Sequence, residues 1–168
     1  MKNNICDRVA KLREIMKENG VAYYYITTAD YHASEYADDF FKEREFMSGF
    51  TGSNGNLLIG MDMAGLWTDG RYFIQAEREL AGSGIELFRM MNEGVPTISE
   101  FLAANMLDGQ TLGFDGRCVN AYSGAEYEEM LSDKNISFVS SSSVAMNSRS
   151  SSWQMPRCRS LSFLTALR

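Results

Sequence analysis

The chain has 168 residues, 45% of them hydrophobic, with 16 basic and 22 acidic side chains and a formal net charge of −6. That is enough chain and apolar content for one domain with a real core. The acid excess argues against nucleic acid as a partner, because phosphate contacts need clustered Lys and Arg. No apolar run approaches the roughly 20 residues of a membrane span. Arg8, Val9, Lys11, Leu12 and Arg13 alternate charged with apolar, unlike a secretory leader. Cys6, Cys118 and Cys158 are scattered and form neither a metal spacing nor a disulfide framework. The expectation is a cytoplasmic protein with no membrane or nucleic-acid partner.

Residues 4–19 read as an amphipathic helix, with Ile5, Val9, Leu12 and Met16 at spacings of three and four and Gly20 just past the end. Residues 21–27, aromatic and β-branched, read as a strand, and 37–47 as a loop and a short helix. Residues 56–59 and 64–67 read as two strands around a tight turn at Gly60-Met61-Asp62. A helix over 72–80 stops at Gly82-Ser83-Gly84, and a strand follows over 85–90. Pro96 and Thr97 open a helix carrying Ile98, Phe101, Leu102 and Met106 on one face. Then come a strand at 112–114, a helix at 121–131 and a strand at 136–139.

This order predicts an α/β fold, a mixed, roughly six-stranded sheet flanked by helices on both faces. No internal repeat is visible. From Ser140 the texture changes: ten of the last 29 residues are serine, and Arg149, Arg157, Arg159 and Arg168 stand without an acid, which leaves −10 on the first 139 residues. The expected division is a domain over 1–139 and an atypical Ser-rich tail or linker over 140–168, with a short strand near 161–164 left open.

The segment Trp67-Thr68-Asp69-Gly70-Arg71-Tyr72-Phe73 places an acid and an arginine just past a buried strand, where open α/β sheets present ligand-contacting groups. A fixed Arg there can hold a carbonyl or carboxylate by paired hydrogen bonds; an internal ion pair bracing the loop is the equal alternative. Trp67 reads as core, with an indole edge able to reach a site wall. Asp30, His32 and Ser34 alternate, but three neighbouring groups on one extended face line up side by side rather than converge as a catalytic triad. His32, the only histidine, reads as a brace for the loop holding Glu35 and Tyr36, and cannot by itself carry a His-rich metal site. Gly49, Gly52 and Gly55 invite a phosphate-loop reading, but the Gly-Lys-Ser/Thr ending is missing and the run precedes a strand. The simpler reading is a turn that needs positive φ or close backbone approach. The acid pairs Asp38-Asp39 and Glu128-Glu129 read as solvated surface, and the eleven methionines as core filler.

Three segments taken together resemble the N-terminal domain of Xaa-Pro aminopeptidases, shared in looser form with creatinase and prolidase. They are Asp30, His32, Ser34, Glu35 and Tyr36; then Phe46, Ser48, Gly49, Phe50, Gly52, Ser53 and Gly55; then Trp67 through Phe73 with Gln75 and Ala76. The resemblance covers about residues 5–139. It implies that peptide-bond cleavage before proline belongs to a separate C-terminal pita-bread domain, where two Asp, one His and two Glu hold two divalent ions, usually manganese. That catalytic domain is absent from these residues, so the expectation is no catalytic residue, no metal ligand and no cofactor in this chain. The resemblance further implies a homo-oligomer, with this domain's partners being its own catalytic domain, a second subunit and short proline-containing peptides. Arg71 inherits a substrate contact made in trans, with Asp69 orienting the loop and His32 and Trp67 as nearby wall. The tail departs from the family's acidic linker, keeping only Trp153 and Pro156 as echoes; a truncation, a shifted reading frame or a divergent terminus each accounts for that.

Two other functions remain open. A free-standing peptide-binding interaction module without peptidase activity would resemble the related domain of a eukaryotic histone-chaperone subunit, and an acidic surface suits basic partners. A small phosphate- or nucleotide-binding protein would rest on the glycine run alone.

Overall fold

A computed structural model describes residues 2–28 and 42–140. Asp30, His32, Ser34, Glu35, Tyr36, Asp38 and Asp39, the strand near 161–164 and the tail beyond Ser140 all lie outside the described residues.

The elements in chain order are α1 (Lys2–Glu18), β1 (Tyr23–Ile26), α2 (Glu43–Ser48), β2 (Asn56–Gly60), β3 (Ala64–Thr68), α3 (Phe73–Leu80), β4 (Glu86–Arg89), α4 (Ile98–Asn105), β5 (Thr111–Phe114), α5 (Ala121–Met130) and β6 (Ser137–Ser140). The six strands form one sheet in the order β4-β3-β2-β1-β5-β6. β2 runs antiparallel to both β1 and β3; the pairs β1–β5, β5–β6 and β3–β4 are parallel. Five strands therefore point the same way and only β2 runs against them. The mixed sheet with helices on both faces is the architecture the sequence pattern implies.

Side-chain alternation along the strands divides the core in two. Tyr24, Ile26, Leu57, Ile59 and Leu66 face Ile5, Val9, Leu12 and Met16 of α1, Met47 of α2, and Ala76 and Leu80 of α3. Tyr25, Leu58, Trp67, Leu112 and Phe114 face Ile98 and Leu102 of α4 together with Met106, Leu131 and Tyr127. A one-residue slip of β1 against β2, paired as Tyr24 with Ile59, would exchange these two cores.

Local chemistry sets the helix ends. Gly20 and Gly49 take positive φ values of 67° and 72° beyond α1 and α2. The helix expected to open at Pro96 starts two residues later. Thr97 is its N-cap, with a reciprocal capping box to Glu100, while the Pro96 carbonyl accepts the Trp67 indole N–H at 2.8 Å. Ser140, expected to begin the tail, closes β6 opposite Phe114. The methionines divide: Met16, Met47 and Met106 are core, whereas Met91 is 96% exposed. No helix among the described residues is long and apolar enough to cross a membrane.

Gly65 lies against the rings of the second core. A Cβ there would stand 2.6 Å from Phe88 and 2.7 Å from Trp67, two rings stacked at 3.9 Å. Gly65→Ala is expected to destabilise the fold by about 1–3 kcal/mol through overpacking, measured as a lower urea midpoint at unchanged slope.

Candidate functional site

β1, β3 and β5 are mutually parallel, so their carboxyl ends share one edge of the sheet. Asp69-Gly70-Arg71 leaves β3 at that edge. Thr68, the last strand residue, is fully buried and its hydroxyl donates to the Asn54 carbonyl at 2.6 Å. Asp69 follows at the surface, its side chain 24% exposed, and Arg71 reaches into solvent at 64%.

Every lone-pair direction of the Asp69 carboxylate is used. Oδ1 accepts the Arg71 backbone N–H and Nε–H, both at 3.0 Å. Oδ2 accepts Arg71 Nη2–H at 2.8 Å and the Asn54 amide at 2.5 Å. The Arg71 side-chain donors are the main cause, the Asn54 amide a smaller one, that holds this carboxyl well below the usual aspartate range. The guanidinium lies 5.3 Å from the Tyr72 ring, and the Tyr72 hydroxyl is 2.7 Å from Ser53 Oγ. Of the two readings left open by the sequence, the structure shows the internal ion pair, and that pair sits at the exposed strand end.

The glycine run packs against this loop. Arg44, 5% exposed, extends from α2 beneath the run. Its Nη2 donates to the Gly52 carbonyl at 2.5 Å, and its guanidinium stands 4.8 Å from the Phe50 ring. Burial pushes its pKa down to about 10. A Cβ on Gly52 would lie 2.3 Å from Phe50 and 2.8 Å from Tyr72, so these glycines serve turning and close approach. Thr51 is fixed from α3, donating its N–H and its hydroxyl to Glu79, each at 2.8 Å.

Trp67, read as core with an indole edge able to reach a site wall, lies within the core. It is 1% exposed, stacked on Phe88 and edge-on to Phe101 at 5.5 Å, with its N–H taken by Pro96. It supports the strand from which Asp69 emerges. The site therefore draws Asp69 and Arg71 together, buries Trp67 below them, and leaves His32 outside the described residues. Sequence reasoning missed Asn54 and Arg44, because nothing in their spacing shows which strand end the glycine run folds over.

It also missed a short repeat. Asp115-Gly116-Arg117 leaves β5 at the same edge with the same local geometry: Arg117 N–H and Nε–H to Asp115 Oδ1 at 2.9 and 3.0 Å, and Nη2–H to Oδ2 at 2.5 Å. Here the carboxylate is only 3% exposed, and Glu43 of α2 lies 4.0 Å from Arg117. Glu43, Asp115 and Cys118 place their ligand atoms within 4.8 Å of one another. They do not suit a metal centre, because Arg117 bonds both Asp115 oxygens and stands where a cation would sit. Of the two cysteines among the described residues, Cys6 is exposed and Cys118 buried.

A mixed six-stranded sheet covered by helices on both faces, with five strands parallel and β2 alone reversed, defines the class: an α/β domain. The family profile described as Creatinase/Prolidase N-terminal domain matches residues 8–151, and the chain belongs to that family. It is 39% identical over 135 residues to aminopeptidase P2 of Arabidopsis thaliana, covering 79% of this chain and 19% of that one. A probable Xaa-Pro aminopeptidase P of Coccidioides posadasii is 41% identical over 132 residues, covering 79% and 21%. Among solved structures, the X-prolyl aminopeptidase of Caenorhabditis elegans, described as a cytosolic enzyme with a di-nuclear active site, superposes with a TM-score of 0.74 at 28% identity over 81% of this chain and 24% of its own. The N-terminal domain of cytoplasmic peptidase PepQ from Mycobacterium tuberculosis gives 0.56 at 26% identity over 81% and 93%. The chain thus spans about a fifth of the length of the curated relatives it matches.

The depressed Asp69 pKa fixes the sign of its pH response. Stabilisation by the clamp is full above the unfolded aspartate pKa and is lost only as pH falls through the lower folded value. Carbon-detected NMR titration is expected to find Asp69 still ionised at about pH 4, where an ordinary aspartate is half protonated. Arg71→Ala should move its midpoint upward, toward the ordinary range.

Proposed function

We propose that this chain is the non-catalytic N-terminal domain of a metal-dependent Xaa-Pro aminopeptidase, which removes the N-terminal residue preceding proline, and that it contributes to oligomerisation and to the substrate entrance. The observation that carries this reading is the exposed Asp69–Arg71 clamp at the carboxyl edge of the sheet. An exposed ion pair stabilises a fold by only about 1 kcal/mol or less, too little to explain four donors gathered on one carboxylate. Such an arrangement instead holds a guanidinium in one direction, with part of its fork turned to a peptide carbonyl or carboxylate. In the assembled enzyme Arg71 reaches the cleft of a neighbouring subunit, and Asp69 sets its direction. His32 completes the wall, and Trp67 supports it from below.

The pair of divalent ions, manganese by family expectation, belongs to the catalytic domain; no step of the chemistry runs through residues described here. The partners are that domain, a second subunit and short proline-containing peptides, in the cytoplasm. The relatives named for proline-specific aminopeptidase activity support the substrate class. The acid excess supports the second reading, a free-standing module for basic peptides.

In a full-length enzyme carrying this domain, Arg71→Ala is expected to lower kcat/KM by about 10- to 100-fold with metal content unchanged, the loss of one charge-assisted contact that positions substrate. Equal kinetics would remove Arg71 from the site. The chain alone is expected to release no residue from an Xaa-Pro peptide; firm retention on a basic-peptide resin at physiological salt would favour the module instead.

A further inference from the structure

The two Asp-Gly-Arg turns offer an internal comparison. They leave parallel strands at one edge of the sheet, three strand spacings or about 14 Å apart. Their three internal hydrogen bonds match in kind and within 0.3 Å in length. The tripeptide therefore builds the clamp, and the surroundings decide its use. Around Arg117 they supply burial of Asp115 and a second carboxylate, Glu43. Arg71 is instead exposed, and the Asn54 amide joins it on the Asp69 carboxylate.

From this contrast we infer that Asn54 is the positioning residue of the Arg71 site. The inference rests on the reading of Arg71 as a ligand contact for its purpose, but its geometry stands alone. Asn54 is gripped from both sides: its carbonyl accepts the buried Thr68 hydroxyl, and its amide donates to Asp69 Oδ2. Oδ2 is also the oxygen that takes Arg71 Nη2. A carboxylate 24% exposed would otherwise be able to turn about its Cβ–Cγ bond and carry the guanidinium with it. The Asn54 amide fixes the plane of the carboxylate, and the plane of the carboxylate fixes the fork of Arg71. The glycine run takes part through Arg44, which anchors the Gly52 carbonyl two residues earlier.

The test follows the guanidinium, not turnover, so it succeeds or fails independently of whether Arg71 touches peptide. Arginine Nε–H exchange is measured by NMR in the 168-residue chain, with Arg117 as the internal reference. Asn54→Ala is expected to accelerate Arg71 Nε–H exchange about tenfold, the equilibrium worth of a charge-assisted hydrogen bond, and to leave Arg117 unchanged. Asn54→Asp keeps the shape and the main-chain carbonyl but sets a like charge against Asp69; it should accelerate Arg71 exchange further and raise the Asp69 midpoint. Unchanged Arg71 exchange in both variants overturns the inference. Equal acceleration at Arg71 and Arg117 also overturns it, because that result assigns Asn54 to general loop stability.

Discussion

The carboxylate of Asp69 is the point on which the candidate site depends. Four donors converge on its two oxygens, from the Arg71 backbone, the Arg71 fork and the Asn54 amide. Through them it joins two segments that are separate in the chain: the glycine run and the turn from β3 into α3. A carboxylate can accept about four hydrogen bonds, and here the number is met. The strand below supplies the fixed base, since Thr68 and Trp67 are buried and fully bonded. What emerges at the surface is therefore a rigid turn ending in an exposed cation.

Burial distinguishes this clamp from its counterpart after β5. The local bonds arise from an acid two residues before an arginine with glycine between, and recur wherever the backbone makes the same turn. Asp115 lies at 3% exposure against α2, and its arginine is shared with Glu43. The Asp69 side chain is 24% exposed. A surface ion pair contributes little to stability and keeps its charge accessible, whereas a buried carboxylate stripped of its partner is left at high cost. Helix α2 touches both ends of this edge, with Glu43 toward Arg117 and Arg44 beneath the glycine run.

Most of the fold was legible in the sequence because its strands and helices obey clean periods. The triplet Tyr23-Tyr24-Tyr25, the tight turn after Gly60 and the three-and-four spacing of Ile5 through Met16 each admit one local structure. Boundaries moved by a residue or two where a cap decided them, as Thr97 did for α4 and the pairing with Phe114 did for Ser140. The clamp was half legible. Asp69 and Arg71 could be placed at a strand end from sequence, but that the arginine pairs with the acid of its own loop shows only in the fold. Trp67 was read as core with one edge free; Pro96, 29 residues away, takes that edge. Asn54 and the second Asp-Gly-Arg turn went unseen, because their meaning depends on which elements fold over them.

By itself the sequence determined the element order, the two-faced sheet and the need for glycine at the turns, since these arise from forces acting within a few residues. Only the tertiary structure decided that β3 and β5 end at the same edge, that Asn54 meets Asp69 across 15 residues and that Arg117 is half-hidden where Arg71 is open. Solvent exposure and long-range donors are properties of the packed chain, and no pattern along the backbone encodes them one residue at a time.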